Sequence, residues 1–145
     1  MNVTEGKGEC QMIHQQISIE IPNRGLEETA KLYSYIIDNT ASIDINRKRP
    51  AVIICPGGGY SHTSDREAEP IALRMMAGGY HAFVLRYHVA PTTYPVQLLE
   101  LAASVKYVRE HAKELNIDEN HIVISGFSAG GHLAGSLAMF WTEDW

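Results

Sequence analysis

Gly126-Phe127-Ser128-Ala129-Gly130 is a G-x-S-x-G pentapeptide, the stretch of this 145-residue chain best suited to nucleophilic chemistry. A serine hydroxyl is a weak nucleophile until a base takes its proton. Its attack on a carbonyl then places negative charge on the former carbonyl oxygen, which needs donors already in position. The flanks suit such a role. Ile122-Val123-Ile124 runs in from one side, and an alanine- and leucine-rich stretch of helical character leaves on the other. Strand, sharp turn, helix is the order of a nucleophile elbow, which lifts its serine out at the end of a sheet. Both glycines have a steric job, because the turn strains the serine backbone and leaves no room for neighbouring side chains. The helix start adds unpaired N–H groups beside the hydroxyl. A chance Gly-Ser-Gly turn would need neither flank.

A second glycine cluster, Pro56-Gly57-Gly58-Gly59-Tyr60, follows the apolar run at 51–55. Paired with the elbow, it predicts a loop whose backbone approaches the reacting atoms. The expected oxyanion donors are the N–H groups of Gly58, Gly59 and Ala129. Tyr60, His62 and His132 are candidates to line the site. His132 lies one helical turn beyond Ser128, and helix side chains tilt toward the N-terminus. Packing or hydrogen bonding is its expected role, ahead of that of base. His88 ends a strand near the same edge, while His14, His81, His111 and His121 read as structural or exposed. Asp65 and Glu67 read as capping or salt-bridging groups. No H-E-x-x-H, G-x-G-x-x-G or Walker spacing occurs, so nothing suggests a metal or a nucleotide.

The elements that must carry these groups follow from periodicity. Ile13, Ile17, Ile19 and Ile21 alternate, which predicts a half-buried strand over 13–21 ending at Pro22. Residues 32–38 form a second strand, antiparallel to the first. The fully apolar run 51–55 reads as a parallel strand buried on both faces. Ala68, Ile71, Ala72, Met75 and Met76 make one helical stripe, opened either by a Ser64–Glu67 capping box or slightly later with Pro70 in its first turn, and ended by Gly78-Gly79. Residues 81–89 are the next strand. Pro95 opens a longer helix striped by Leu98, Leu101, Ala102, Val105, Val108, Ala112 and Leu115, and 116–120 is a loop before the elbow strand. Five strands are counted. From residue 50 onward the rhythm is strand, helix, three times over, the mark of a mostly parallel sheet covered on both faces.

The net charge of −5 argues against a nucleic-acid partner. Two cysteines, Cys10 and Cys55, have no paired spacing, which fits a reducing compartment and excludes a thiolate zinc site. The first 20 residues lack an apolar signal core and nothing downstream reads as a membrane span, so a cytoplasmic protein is expected. Residues 1–12 are polar and expected to be loosely ordered.

These motifs resemble those of the α/β-hydrolase-fold serine esterases related to acetyl xylan esterases and other carbohydrate esterases. The resemblance spans roughly residues 12–145. It rests on Cys55 through Tyr60, on Ser64-Asp65-Arg66-Glu67-Ala68-Glu69-Pro70, on Arg86-Tyr87 with Ala90-Pro91, and above all on Gly126 through Ala134. It implies cleavage of small acyl esters, often acetyl groups on sugars, without metal or organic cofactor. Pro56 is a departure, standing where many relatives carry the histidine of an H-G-G-G loop. The larger departure comes late. The resemblance implies an eight-stranded sheet with an acid after the seventh strand and a histidine after the eighth, in the order Ser, Asp or Glu, His. After Ser128 this chain offers only His132, Glu143 and Asp144. Residues 1–145 are therefore read as one incomplete α/β-hydrolase domain, with an antiparallel N-terminal strand pair, cut after the elbow helix. The elbow strand, 122–127, would then lie at an apolar open edge and invite homo-oligomerisation. The alternative is a non-catalytic remnant or interaction module.

Overall fold

Alternation of apolar residues decides the sheet, and a computed structural model describing residues 11–144 shows how. Six strands, Met12–Ile13 (β1), Gln16–Ile19 (β2), Ala30–Ile37 (β3), Arg49–Cys55 (β4), His81–Arg86 (β5) and Ile117–Gly126 (β6), form one sheet. Its order is β1-β3-β5-β4-β6, with β2 also paired to β3. β4 runs parallel to β5 and β6, whereas β3 is antiparallel to β1, β2 and β5. The expected disorder of residues 1–12 and the position of Cys10 fall almost wholly outside the described residues.

Both faces of the central strands are covered. Val52 and Ile54 of β4, with Ala82 and Val84 of β5, pack under helix α1 (Glu69–Ala77) against Ala72 and Met76. Ile53, Phe83 and Leu85 point the other way. They pack with Leu98, Leu101 and Val108 of α2 (Val96–Glu110) and Leu133 of α3 (Ala129–Phe140). Period-2 alternation therefore selects a layer rather than solvent, as in a parallel sheet buried on both sides. Pro70 sits in the first turn of α1, where its missing N–H costs nothing, and Gly78 caps the other end.

Four expectations need correction. The predicted strand 13–21 is two strands, so six are present where five were expected. Its register is unbroken, Ile13 lying opposite Ile36 and Gln16 opposite Tyr33. The ladder is interrupted because the His14 ring takes the Ser34 carbonyl and the Gln15 N–H turns to the Ser34 hydroxyl. The Ser64–Glu67 capping box does not form; residues Asp65–Glu67 make a 3-10 turn with no side-chain cap from Ser64. The strand expected over 81–89 ends at Arg86, where the chain turns toward α2. The loop expected at 116–120 lies mostly inside β6. Register jumps from Arg49 opposite Ile117 to Ala51 opposite Ile122, so residues 118–121 bulge out beside Pro50, which has no N–H to pair.

Among the described residues β6 is paired only through β4 and forms the sheet's edge. The chain leaves β4 toward β5 on one side and returns to β6 on the other. Such a switch in direction opens a crevice at the carboxyl ends of the strands. Cys55 and Gly126 end those two strands side by side.

Candidate active site

At that crevice the two glycine motifs meet. Ser128 has φ 51 and ψ −117, a conformation that non-glycine residues rarely adopt. It is forced there by close approach of three backbones. A Cβ on Gly126 would lie 2.2 Å from the Gly130 carbonyl oxygen, and one on Gly130 would lie 1.9 Å from that of Cys55. The Phe127 N–H donates to the same Cys55 oxygen at 3.1 Å, pinning the turn onto the end of β4. Ser128 stands exposed at the start of α3, and its hydroxyl does not cap the helix.

The glycine loop lies against this turn. A Cβ on Gly57 would come 2.7 Å from the Phe127 oxygen and 3.1 Å from the Ser128 Cβ. Both ends of the loop are tied down through backbone groups. Gly57 donates to Glu67 Oε2 at 2.8 Å and accepts from the Ser64 N–H at 2.8 Å. The Gly58 carbonyl accepts from the Ser61 N–H and hydroxyl at 3.0 and 2.8 Å. Tyr60 accepts from the Ala90 N–H at 2.7 Å, and the Tyr87 hydroxyl donates to the Pro56 carbonyl. The N–H groups of Gly58, Gly59 and Ala129 find no acceptor among the described residues. Gly58, at φ 137, also needs its missing side chain, since a Cβ there would sit 2.1 Å from the His62 carbonyl oxygen.

The structure sorts the candidate lining residues. Tyr60, at φ 58, places its hydroxyl 2.9 Å from His132 Nδ1. His132 is therefore engaged with Tyr60, and Ser128 Oγ has no hydrogen-bonding base among the described residues. His62 is exposed on the loop, with its ring beside the Ser61 hydroxyl at 3.1 Å. Tyr60 and His132 share a cavity of about 250 Å³ whose walls are mainly apolar, among them Ala90, Tyr94, Leu98 and Leu133.

Sequence reasoning missed three supports. Glu67 is a loop anchor, made so by the 3-10 turn that replaces the capping box. Tyr87 holds Pro56 from beneath. Glu100, fully buried on α2, pairs with His88 Nδ1 and accepts the His88 N–H at 2.8 Å, fastening the chain where β5 ends. Burial pushes the Glu100 pKa up, against the opposing pull of those His88 bonds. Burial likewise drives Cys55 up to about 12, leaving a protonated, unreactive thiol beside the elbow. Asp65 meets its expectation as an ion-pair partner, bound to Arg86 at 2.9 Å. Among the described residues no three His, Cys, Asp or Glu side chains converge as a metal site, and no helix is long and apolar enough to cross a membrane.

The sequence model of the BD-FAE family matches residues 38–144. Among solved structures, the α/β hydrolase MGS-M1 from a Medee basin deep-sea metagenome library is 43% identical. It superposes with a TM-score of 0.79 over 88% of this chain and 51% of that one. The acetyl ester-xyloside bifunctional hydrolase of Caldicellulosiruptor lactoaceticus is 36% identical, with a TM-score of 0.73 over 83% of this chain and 44% of that one. The acetylxylan esterase of Xylanibacter ruminicola is 33% identical over 89 residues, 61% of this chain and 18% of that protein. The chain thus spans about half the length of the solved relatives and less of the curated one.

Proposed function

The chain belongs to the BD-FAE family of α/β hydrolases, and on that premise we propose that Ser128 is the nucleophile of a carboxylic-ester hydrolase. The substrates proposed are small acyl esters, acetyl first among them and carried on carbohydrates, a class supported by the acetyl-ester and acetylxylan relatives. Ser128 Oγ attacks the ester carbonyl while a base removes its proton, and the alcohol leaves as the acyl-enzyme forms. The N–H groups of Ala129, Gly58 and Gly59 receive the developing oxyanion. The observation that carries this reading is the strained, exposed serine set against a loop whose Gly58 and Gly59 N–H groups have no acceptor among the described residues. The base and its orienting acid are proposed to come from the part of the fold that the 145 residues do not span. A cytoplasmic location is proposed from the cysteines, only two in number and without paired spacing.

A second reading is favoured by one observation, the lack of a base on Ser128 Oγ among the described residues. On that reading this stretch alone is a non-catalytic module. Hydrolysis of p-nitrophenyl acetate by these residues within a polypeptide spanning the whole fold, beside its Ser128→Ala variant, separates the two. The ester-hydrolase reading expects turnover that the substitution removes and that exceeds the roughly 10³-fold residual of binding and oxyanion contacts alone. Equal, near-background rates would leave the second reading.

A further inference from the structure

Tyr60 joins three segments that sequence keeps far apart. Its hydroxyl reaches His132 on the elbow helix at 2.9 Å. Its carbonyl accepts the Ala90 N–H at 2.7 Å, on the segment between β5 and α2. Its own backbone is the downstream end of the glycine loop, held at φ 58, where a non-glycine side chain persists only if its surroundings fix it. The Tyr60 ring also stands edge-on to that of His132, with centroids 5.9 Å apart. At the loop's upstream end, Pro56 and Gly57 are anchored by Tyr87 and Glu67. The stretch between these two anchorages contains Gly58 and Gly59, which have no side chains to pack and whose N–H groups find no acceptor among the described residues.

We propose that Tyr60 and His132 are a positioning pair that locks the Gly58–Gly59 donors over Ser128, and that His132 serves as hydrogen-bond partner of Tyr60 rather than as base. The inference rests on reading Ser128 and the glycine loop as one site. A two-residue glycine span fixed at one end only would sample many backbone states, because glycine has more to sample than any other residue. Donors help a transition state only when no reorganisation is needed at the moment of reaction. The Tyr60–His132 bond, together with the Ala90 N–H on the Tyr60 carbonyl, supplies the second fixed end. It ties the loop to the same helix whose first residue, Ala129, carries the third donor, so all three donors move with one body.

The test is backbone ¹⁵N relaxation at Gly58 and Gly59 in the 145-residue chain, with Tyr60→Phe, His132→Ala and His132→Asn. Tyr60→Phe removes one oxygen and keeps the ring, so the core under β4 and β6 stays intact and Ile53 and Ile124 act as internal controls. The parent is expected to show order parameters near the rigid value of about 0.85 at both glycines, falling below about 0.6 in Tyr60→Phe and His132→Ala. His132→Asn keeps a polar group near the Nδ1 position and is expected to restore the parent value. Rigid glycines in Tyr60→Phe would overturn the proposal, as would His132→Asn being as loose as His132→Ala, which would assign the effect to packing. The result is separable from the fate of the ester-hydrolase reading. Loop rigidity is read without turnover, while Ser128-dependent hydrolysis is read without the Tyr60 variants.

Discussion

The bare Cα of Gly130 sits so close to the end of β4 that a methyl group on it would lie 1.9 Å from the Cys55 carbonyl oxygen and 2.6 Å from that of Pro56. Neither oxygen belongs to a flexible side chain, so the clash has no cheap relief. Gly130→Ala is expected to destabilise the fold by about 3 kcal/mol, the upper part of the overpacking range. Gly135, on the same helix with open space around it, makes the contrast. Gly135→Ala is expected to stabilise by about 0.5–1 kcal/mol through helix propensity. Urea unfolding of the two variants checks both signs at once.

Glu67 accepts the N–H of buried Gly57, and a carboxylate acceptor is worth more than a neutral one. Glu67→Ala is expected to cost about 2 kcal/mol, because a buried donor is left without a partner. Glu67→Gln keeps an oxygen in place and should lose less than half of that. Equal losses in thermal denaturation would show that Glu67 acts through packing instead.

His81 is fully buried, and neither ring nitrogen has a hydrogen-bond partner among the described residues. Burial first, and then the nearby Arg49 guanidinium, lower its pKa from 6.5 to about 4. Between those two values the unfolded chain binds a proton that the native chain does not. Stability is therefore expected to be full above pH 6.5, to fall as pH drops toward 4, and to change no further from this group below that. The slope is at most about 1.4 kcal/mol per pH unit, roughly 3 kcal/mol in all. His81→Leu should flatten this part of a stability-versus-pH curve measured by urea titration.

β6 presents an open ladder along which Val123 is 47% exposed, and Met139 and Trp141 near the end of α3 are also exposed. An apolar edge of this kind is a template for another strand. The 145-residue chain is expected to sediment as larger species as its concentration rises. Val123→Lys, which puts a charge on that edge, should hold it at the mass of one chain. Sedimentation velocity on the two proteins decides the matter.

Much of this arrangement is legible in the residues. The fully apolar run 51–55 and the helical stripe from Ala68 to Met76 identify a strand and a helix that tertiary packing then uses. The strand–turn–helix about Ser128 is legible because steric demand fixes residue types: Gly126 and Gly130 are required by backbone contacts within a few residues and with β4. What stayed hidden depends on partners distant in sequence. Ser34 interrupts the first strand only because β3 brings it opposite Gln15. Glu67 looks like a capping residue until the fold sets Gly57 beside it, and Glu100 looks like a surface position in its helix until His88 arrives from β5. The spacing of His132 suggests packing or hydrogen bonding without naming a partner, and only the path of the glycine loop brings Tyr60 to its Nδ1.

The left-handed backbone of Ser128 sets the fold against its own chemistry. Such a conformation costs on the order of 1–3 kcal/mol for a side-chain-bearing residue, and glycine would adopt it without penalty. Ser128→Gly gives back about 0.5–1 kcal/mol in chain entropy, so the variant should unfold at the same urea concentration as the parent or a higher one. A search for sturdier sequences on this backbone would thus replace the proposed nucleophile among its first changes. Stability screening alone would drive the chain toward an inert scaffold.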